Sequence, residues 1–437
     1  MNKIRVLQLA VHLGGGAGKA IVGMIHQTMN RMEYEVILLE VPKNIFYVEQ
    51  LKNIGIPVVI SDNAANIAER ISANEVTVVN WWGHPLMIRL LMELPLVKGR
   101  FVIWSHINGC SYPYLRAEFL DCFDGVLFTS PYSENNSLWS SKQKKKLFEK
   151  STVIYGMGDF NPAMVCPKKS FFNNEQLVIG YVGTLNYAKL NRRWFDYYGK
   201  AIENFKNVKI LMIGEPSKEV LNDAKKYGIE KNVIFTGYIS DVYEYYSKMD
   251  IFAYFLCDEN YATTENAMIE AMALGIPVIA LNNPVEAYII ENYKSGILIN
   301  SPGEFVEAIR WLIKDNNAEK LGERSRKYCI KKYLPEVNAK MFYKVCKAVL
   351  EVKQHYPDFI DVMGTNPFDA FCRQAGNERD LFEKIKNNDN IIGTEIKLIP
   401  CIYRGEDKAS IRQFLKYFPG NMELQILERY INRYENC

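Results

Sequence analysis

The feature that most limits what this chain can fold into occurs twice: a short apolar run that ends in glycine and gives way to a stretch of helical character. Ile4-Arg5-Val6-Leu7-Gln8-Leu9-Ala10 leads into Gly14-Gly15-Gly16-Ala17-Gly18, and Lys19–Arg31 then reads as helix. Val178-Ile179-Gly180-Tyr181-Val182-Gly183 repeats that opening much later. Apolar strand candidates follow the first run at Glu35–Val41, Pro57–Ser61, Val76–Trp81, Phe101–Ser105 and Gly125–Thr129. They follow the second at Val208–Gly214, Val233–Gly237, Ile251–Phe255 and Pro277–Leu281. The gaps between them are long enough for crossover helices, which predicts two α/β domains with parallel, Rossmann-like sheets. A chain of 437 residues exceeds what one core supports, so two domains and an appendage fit its length.

Pro162, Pro167 and the polar stretch 168–176 have the composition of a linker. The first domain is therefore expected at 1–170 and the second at 171–352. The second is closed by one amphipathic helix over about 331–352 with Lys331, Lys332, Lys340, Lys344 and Lys347 outside. Residues 353–437 read as a mostly helical appendage whose role the sequence does not reveal. No repeat with a period of about 20 to 50 residues is visible, which argues against a solenoid.

A net charge of +3 is too small for a dedicated nucleic-acid binder, and no nucleic-acid partner is expected. The basic run Lys142, Lys144, Lys145, Lys146, Lys150 reads either as a solvated helix face or as a docking surface for anionic lipid head groups. Nine cysteines with no Cys-x-x-Cys pair fit neither a disulfide framework nor a zinc site, so a reducing, cytoplasmic location is expected. Gln8 and His12 interrupt the N-terminal apolar run, which reads as a first strand rather than a signal peptide. The stretch Ala267–Leu281 carries Glu270 and Pro277 and is too short to span a bilayer. Any membrane contact is expected to be peripheral, on the inner face of the plasma membrane.

The first glycine cluster fails the test for a Walker loop, because Leu13 and Ala20 stand where glycine and Ser or Thr are required. It also fails the Rossmann fingerprint from Gly14, where Lys19 occupies the third glycine. Glu40 at the end of the next strand keeps a ribose-binding alternative open. The cluster offers backbone able to approach a ligand closely, beside a helix N-terminus with partial positive charge; a flexible turn is the plainer reading. The sharper element is Thr263–Ile279. Thr264 or Thr263 is placed to cap a helix, Gly275 to end it in the left-handed conformation, and Pro277 to lead into the next strand. The free N–H groups from about Glu265 to Met268 would then face the carboxyl edge of the sheet, where a diphosphate fits. Glu270 interrupts an apolar helix, and a buried carboxylate needs a partner; ribose hydroxyls would serve, as would a structural ion pair.

Glu270-Ala271-Met272-Ala273-Leu274-Gly275-Ile276-Pro277-Val278-Ile279 resembles the strongest motif of the GT-B-fold retaining glycosyltransferases, the family-4 or "glycosyl transferases group 1" type. Gly15 to Gly18, Tyr181-Val182-Gly183 with Lys189 downstream, Ile213-Gly214 and Phe235-Thr236-Gly237-Tyr238 match in order, so the resemblance spans both α/β domains but not the tail after His355. It implies two Rossmann-like domains facing a central cleft, with the nucleotide held by the second. Glu270 matches the Glu that bonds the ribose, and Lys189 the phosphate-binding Lys, with Arg192 and Arg193 close behind. The preceding Glu of the family pair falls at Ala262, so Glu265 is the candidate to hold the donor sugar. Thr184 stands where the family usually has a diphosphate-binding Arg. The resemblance also implies contacts from Gly15, Gly16, Thr264, Asn266 and Ala267, and from Tyr238 to the nucleobase, where packing is the competing role.

Trp104-Ser105-His106-Ile107-Asn108-Gly109 lies where the family often places a His facing the donor sugar, which makes His106 a catalytic candidate with Lys189 and Glu265. An ordinary polar residue at a strand end is the alternative. Trp81-Trp82-Gly83-His84 ends another strand and reads as acceptor-pocket wall or as core aromatics. Departure of a diphosphate develops negative charge on phosphate, so cations and N–H dipoles lower the barrier. No Asp-x-Asp motif ends a strand, and the resemblance implies no metal and no cofactor beyond the nucleotide-sugar donor, UDP-linked in expectation. The expected activity is transfer with retention to a glycan, lipid-linked or protein acceptor in the assembly of a bacterial surface polysaccharide, glycolipid or glycoprotein. A nucleotide-sugar epimerase and a non-catalytic binding or scaffold protein remain alternatives.

Overall fold

A computed structural model of the chain describes residues 2–156, 158, 170–172, 176–239, 241–258, 260–261, 263–387, 401–406 and 409–435. Ala262 and most of the expected linker lie outside the described residues. The chain divides into two units, one formed by Met1–Asp159 with Asn338–Cys437 and the other by Phe160–Val337.

In the first unit, strands β1 (Ile4–Ala10), β2 (Met32–Leu38), β3 (Val58–Ile60), β4 (Val76–Trp81), β5 (Phe101–Ser105), β6 (Gly125–Phe128) and β7 (Ser151–Val153) form one sheet in the order β3-β2-β1-β4-β5-β6-β7. All of its pairings are parallel. β4 is buried at every residue and β1 at all but Arg5, the pattern of strands covered on both faces. Helix α1 (Gly15–Thr28) supplies Ala20, Ile21, Met24 and Ile25 to the core over β1, β2 and β4. Ala339, Phe342, Cys346 and Val349, which the sequence reading counts with the second domain, join that same core.

The second unit holds β8 (Leu177–Val182), β9 (Val208–Ile213), β10 (Val233–Phe235), β11 (Ile251–Tyr254), β12 (Val278–Leu281) and β13 (Ile297–Ile299), ordered β10-β9-β8-β11-β12-β13 and parallel throughout. Each sheet thus reverses its strand order beside its own first strand, between β1 and β4 and between β8 and β11. Open α/β sheets leave a ligand crevice at that point, outside the carboxyl ends of the strands. The expected fold class, two Rossmann-like parallel-sheet domains, is the one observed.

Some local expectations need correction. α1 begins at Gly15, four residues before the expected start, with the glycines themselves as its first turn. β7 and β13 are not among the expected strands. The single helix expected over 331–352 is two helices, α13 (Asn317–Tyr333) and α14 (Pro335–Val349). Pro335 lacks the N–H that would continue α13 and is suited to the first position of a new helix. The tail is helical as expected, with segments Phe359–Met363, Pro367–Gln374, Arg379–Lys386, Ile411–Tyr417 and Met422–Glu435. Among the described residues no helix is long and apolar enough to cross a membrane.

Helix α10 (Asn266–Ala273) runs between β11 and β12, with Met268, Ile269 and Met272 fully buried. Its end is a Schellman turn: Ile276 N–H donates to Ala271 O (2.9 Å) and Gly275 N–H to Met272 O (3.0 Å), with Gly275 at φ +78°. The Arg326 guanidinium on α13 donates to the carbonyl of Ala273, the last residue of α10. α13 crosses α10 so closely that a Cβ on Gly322 would lie 2.0 Å from the Gly275 carbonyl oxygen. Because backbone cannot yield as a side chain can, Gly322→Ala should lower stability by about 1–3 kcal/mol, read as a lower urea midpoint at unchanged slope. An unchanged midpoint would refute this packing.

Candidate functional site

At the reversal point of the second sheet, glycine lets the strand ends crowd together. Gly214 follows β9 at φ +145°, and a Cβ there would lie 2.0 Å from the carbonyl oxygen of Gly183, which follows β8. Its N–H donates to Gly237 O (3.1 Å), so three glycines of the sequence motif meet at the carboxyl edge. The loop after Gly183 is pinned in turn. Asn186 O accepts from Lys189 N–H (3.2 Å) and Leu190 N–H (2.8 Å). Asn191 N–H donates to Phe255 O (2.9 Å), and Cys257 N–H to Lys189 O (2.8 Å). Lys189 is therefore held by its backbone against the end of β11.

Its side chain meets the start of α10. Lys189 Nζ lies 3.0 Å from Glu265 Oε2, with both side chains largely withdrawn from solvent. The Tyr254 hydroxyl, from the last residue of β11, donates to the same oxygen. Tyr181 stacks on Tyr254 at 5.4 Å, and Lys189 Nζ sits 5.5 Å from the Tyr254 ring centre. Burial is the largest single influence on the Lys189 pKa and pulls it down, but Glu265, by charge and hydrogen bond, together with Tyr261 and Glu286 makes the net shift upward. Burial, reinforced by Glu265, pushes both tyrosines well above their ordinary range. The two residues assigned separately to phosphate and to donor sugar are thus partners of one another.

Glu265 also corrects the expected cap. It occupies the N-cap position of α10 itself, in the left-handed region at φ 50°, ψ 60°, in place of Thr263 or Thr264. Thr264 is buried just before it. The first intrahelical bond is Ile269 N–H to Glu265 O (3.1 Å), so Asn266, Ala267 and Met268 present the amides of the opening turn. Glu270 is buried one turn on, 3.4 Å from the Tyr246 hydroxyl, which also donates to Ala267 O (2.9 Å). Thr184 O accepts from the Tyr181 hydroxyl (3.0 Å). Arg192 is exposed, with its guanidinium 4.9 Å from the Tyr187 ring centre, whereas Arg193 turns to Asp196 at 2.7 Å. Tyr238 is 69% exposed, so packing is not its role.

In the first unit, Gly15 and Gly16 are exposed at the start of α1, with Gly15 at φ +58°. His106 follows β5, its ring 4.8 Å from Trp104 and 6.1 Å from Trp82. The Asn80 amide donates to Gln8 Oε1 (2.8 Å), which leaves Asn80 Oδ1 to accept from His106 Nε2–H at 3.0 Å. Burial pushes the imidazole down to about 3, so His106 is neutral at physiological pH with its lone pair on Nδ1. Trp81 is a core ring packed on Phe119, while Trp82 is half-buried beside His12.

Residues 166–328 match the model of the family "Glycosyl transferases group 1". An uncharacterized glycosyltransferase of Haemophilus influenzae is 30% identical over 257 residues, 55% of this chain and 68% of that protein. The chain belongs to the glycosyl transferases group 1 family. The capsular polysaccharide biosynthesis glycosyltransferase CapM of Staphylococcus aureus is 29% identical over 171 residues, which span 38% of this chain and 44% of CapM. HepE of Anabaena, solved in complex with UDP and glucose, superposes with a TM-score of 0.61 at 14% identity, covering 79% of this chain and all of HepE. That likeness identifies the fold as the GT-B fold.

For this member of the group 1 family, the matched region contains Lys189, Glu265 and Glu270, and also a residue the sequence reading passed over. Glu286, in the short helix α11 (Pro284–Ile289), is fully buried. Among the described residues neither of its oxygens has a hydrogen bond of good geometry, with the Asn283 side chain nearby. Burial first, and the charge of Glu265 second, raise its pKa from the ordinary 4.5 to about 8. Its signal was a carboxylate two residues after a proline, which any helix start could carry. Between pH 4.5 and about 8 the folded state holds this proton more tightly than the unfolded chain, so the contribution of Glu286 to stability falls as pH rises through that window. Glu286→Gln cannot ionise, and its stability relative to the parent should improve between about pH 5 and about pH 9 in denaturant titrations. A difference independent of pH would contradict the buried, proton-holding carboxyl.

Proposed function

We propose that this chain transfers a sugar from a UDP-sugar to a glycan acceptor, with the donor bound by the second domain. The carrying observation is the Lys189–Glu265 pair at the N-terminus of α10, on the reversal point of the sheet. Lys189 has three N–H donors and Glu265 engages one side of the ammonium, so the others remain to meet a diphosphate oxygen. The opening amides of α10 add a second, uncharged source of positive potential. Both stabilise charge that grows on the phosphate as the anomeric bond breaks. In this reading Glu265 orients the donor sugar through its hydroxyls and Glu270 takes the ribose, with Thr184, Thr264, Asn266 and Ala267 lining the diphosphate. Arg192 is the reserve cation, and exposed Tyr238 meets the base.

Within the first domain, the groups of this reading are the neutral imidazole of His106 and the glycine-opened start of α1, at Gly15 and Gly16. We propose retention of anomeric configuration, as in family-4 enzymes, and catalysis by cations and dipoles without a metal. The role of CapM in capsular polysaccharide biosynthesis and the UDP bound to HepE support a capsular-type polysaccharide pathway and a uridine donor. UDP release from UDP-sugars above background separates this reading from a non-catalytic binder.

The roles of the pair separate in variants. Lys189→Ala should weaken UDP binding and lower turnover, each by about 10- to 100-fold, since it removes a charge-assisted contact. Glu265→Gln should keep UDP affinity in calorimetry and lose turnover of the UDP-sugar. Excess EDTA should leave the parent rate unchanged. Full-rate Glu265→Gln would reduce Glu265 to a structural partner of Lys189, and loss of activity restored by Mg²⁺ or Mn²⁺ would overturn the metal-free mechanism.

A further inference from the structure

The tail beyond the family's two domains ends against the carboxyl edge of the first sheet. Tyr112 donates to the carbonyl of Ala409, Arg116 to those of Arg373 (3.1 Å) and Ala375 (3.4 Å), and Tyr114 N–H to Gln374 O (2.8 Å). Phe371, Phe382, Tyr403 and Phe414 pack into an aromatic core that fixes the helix Ile411–Tyr417. That helix ends on Tyr417, whose hydroxyl donates to Glu40 Oε2 at 2.6 Å, just past the end of β2. Its ring lies 5.1 Å from His84, after β4.

From there a row of rings follows the strand ends. His84 is 6.2 Å from His12 after β1, His12 is 5.3 Å from Trp82, and Trp82 is 6.1 Å from His106 after β5. His84 is buried, while Tyr417, His12, Trp82 and His106 are all part-exposed, as is Glu40. This row therefore crosses the reversal point of the first sheet and sets part-exposed aromatic rings beside one part-exposed carboxylate. A pyranose presents that chemistry in complement: an apolar C–H face that lies on a ring, and hydroxyls that donate to a carboxylate.

We propose that the C-terminal segment completes an acceptor site on the first domain, with Tyr417 and Glu40 binding a hydroxyl-bearing sugar ring of the glycan acceptor. The proposal rests on the transferase reading and adds to it the source of acceptor recognition, a residue outside the family's two domains. Glu40, open from sequence to a ribose, takes an acceptor hydroxyl here, and Tyr417 holds its carboxylate in place.

The test is saturation-transfer NMR on the full chain with methyl glycosides of glucose, galactose and N-acetylglucosamine, beside UDP calorimetry on the same samples. The parent should give ring-proton signals with at least one glycoside. Tyr417→Phe and Glu40→Gln, which keep shape and fold, should weaken that glycoside by about 2- to 10-fold, as expected for one hydrogen bond. Tyr417→Ala should abolish the signal, and all three variants should bind UDP like the parent. Equal glycoside signals in parent and variants, or none in the parent, would overturn the proposal while UDP binding leaves the donor reading standing. Failure of the parent to bind UDP would instead refute the transferase reading on which it rests.

Discussion

The second domain is organised around a buried carboxylate that the chain must neutralise. Glu265 sits in the left-handed region, which costs a residue with a Cβ on the order of 1–2 kcal/mol, and its side chain is withdrawn from water, which costs more unless it is paired. Lys189 and the Tyr254 hydroxyl meet both demands. They come from the loop after β8 and the end of β11, so three separate elements must be in register before the site exists. The Asn186 turn, the pairing of Lys189 with Cys257 and the Tyr181–Tyr254 stack then read as supports of a single ion pair.

Such a pair is poor at adding stability and good at fixing geometry. A cation buried beside its counter-ion is held at one place, with its remaining donors directed away from the carboxylate. An arriving diphosphate finds a positioned ammonium instead of a mobile one, and its charge is shared with the amides at the start of α10. Glu286 belongs to the same field: next to Glu265 a second buried negative charge is unfavourable, and the proton it retains relieves that repulsion.

What was legible in the sequence is what local chemistry dictates. Strand runs that end in glycine, and the helix closed by Gly275 and followed by Pro277, carry their instructions within a few residues. Both sheets and the Schellman end of α10 emerged from them. Pro335 carried an equally local instruction, a helix start, that the regular lysine spacing around it masked. The Lys189–Glu265 contact joins residues far apart in the chain, and no periodicity links them. Both residues could be named through the resemblance, but not their partnership. The cap at Glu265 was misread because Thr263 and Thr264 are good capping residues by type, while the left-handed turn that displaces them depends on tertiary contacts. Tyr417 was invisible for the same reason: its importance lies in Glu40 and His84, residues at the other end of the chain.

The donor site proposed at Lys189 and the start of α10 stands or falls on where the donor's diphosphate lands. Amide hydrogen exchange with and without saturating UDP measures this directly, because N–H groups that bond phosphate oxygens exchange more slowly. Slowed exchange at Asn266, Ala267 and Met268, and along the Lys189 loop, is the predicted result. Protection that leaves those amides unchanged and appears instead at the start of α1, around Gly15 and Gly16, would contradict it.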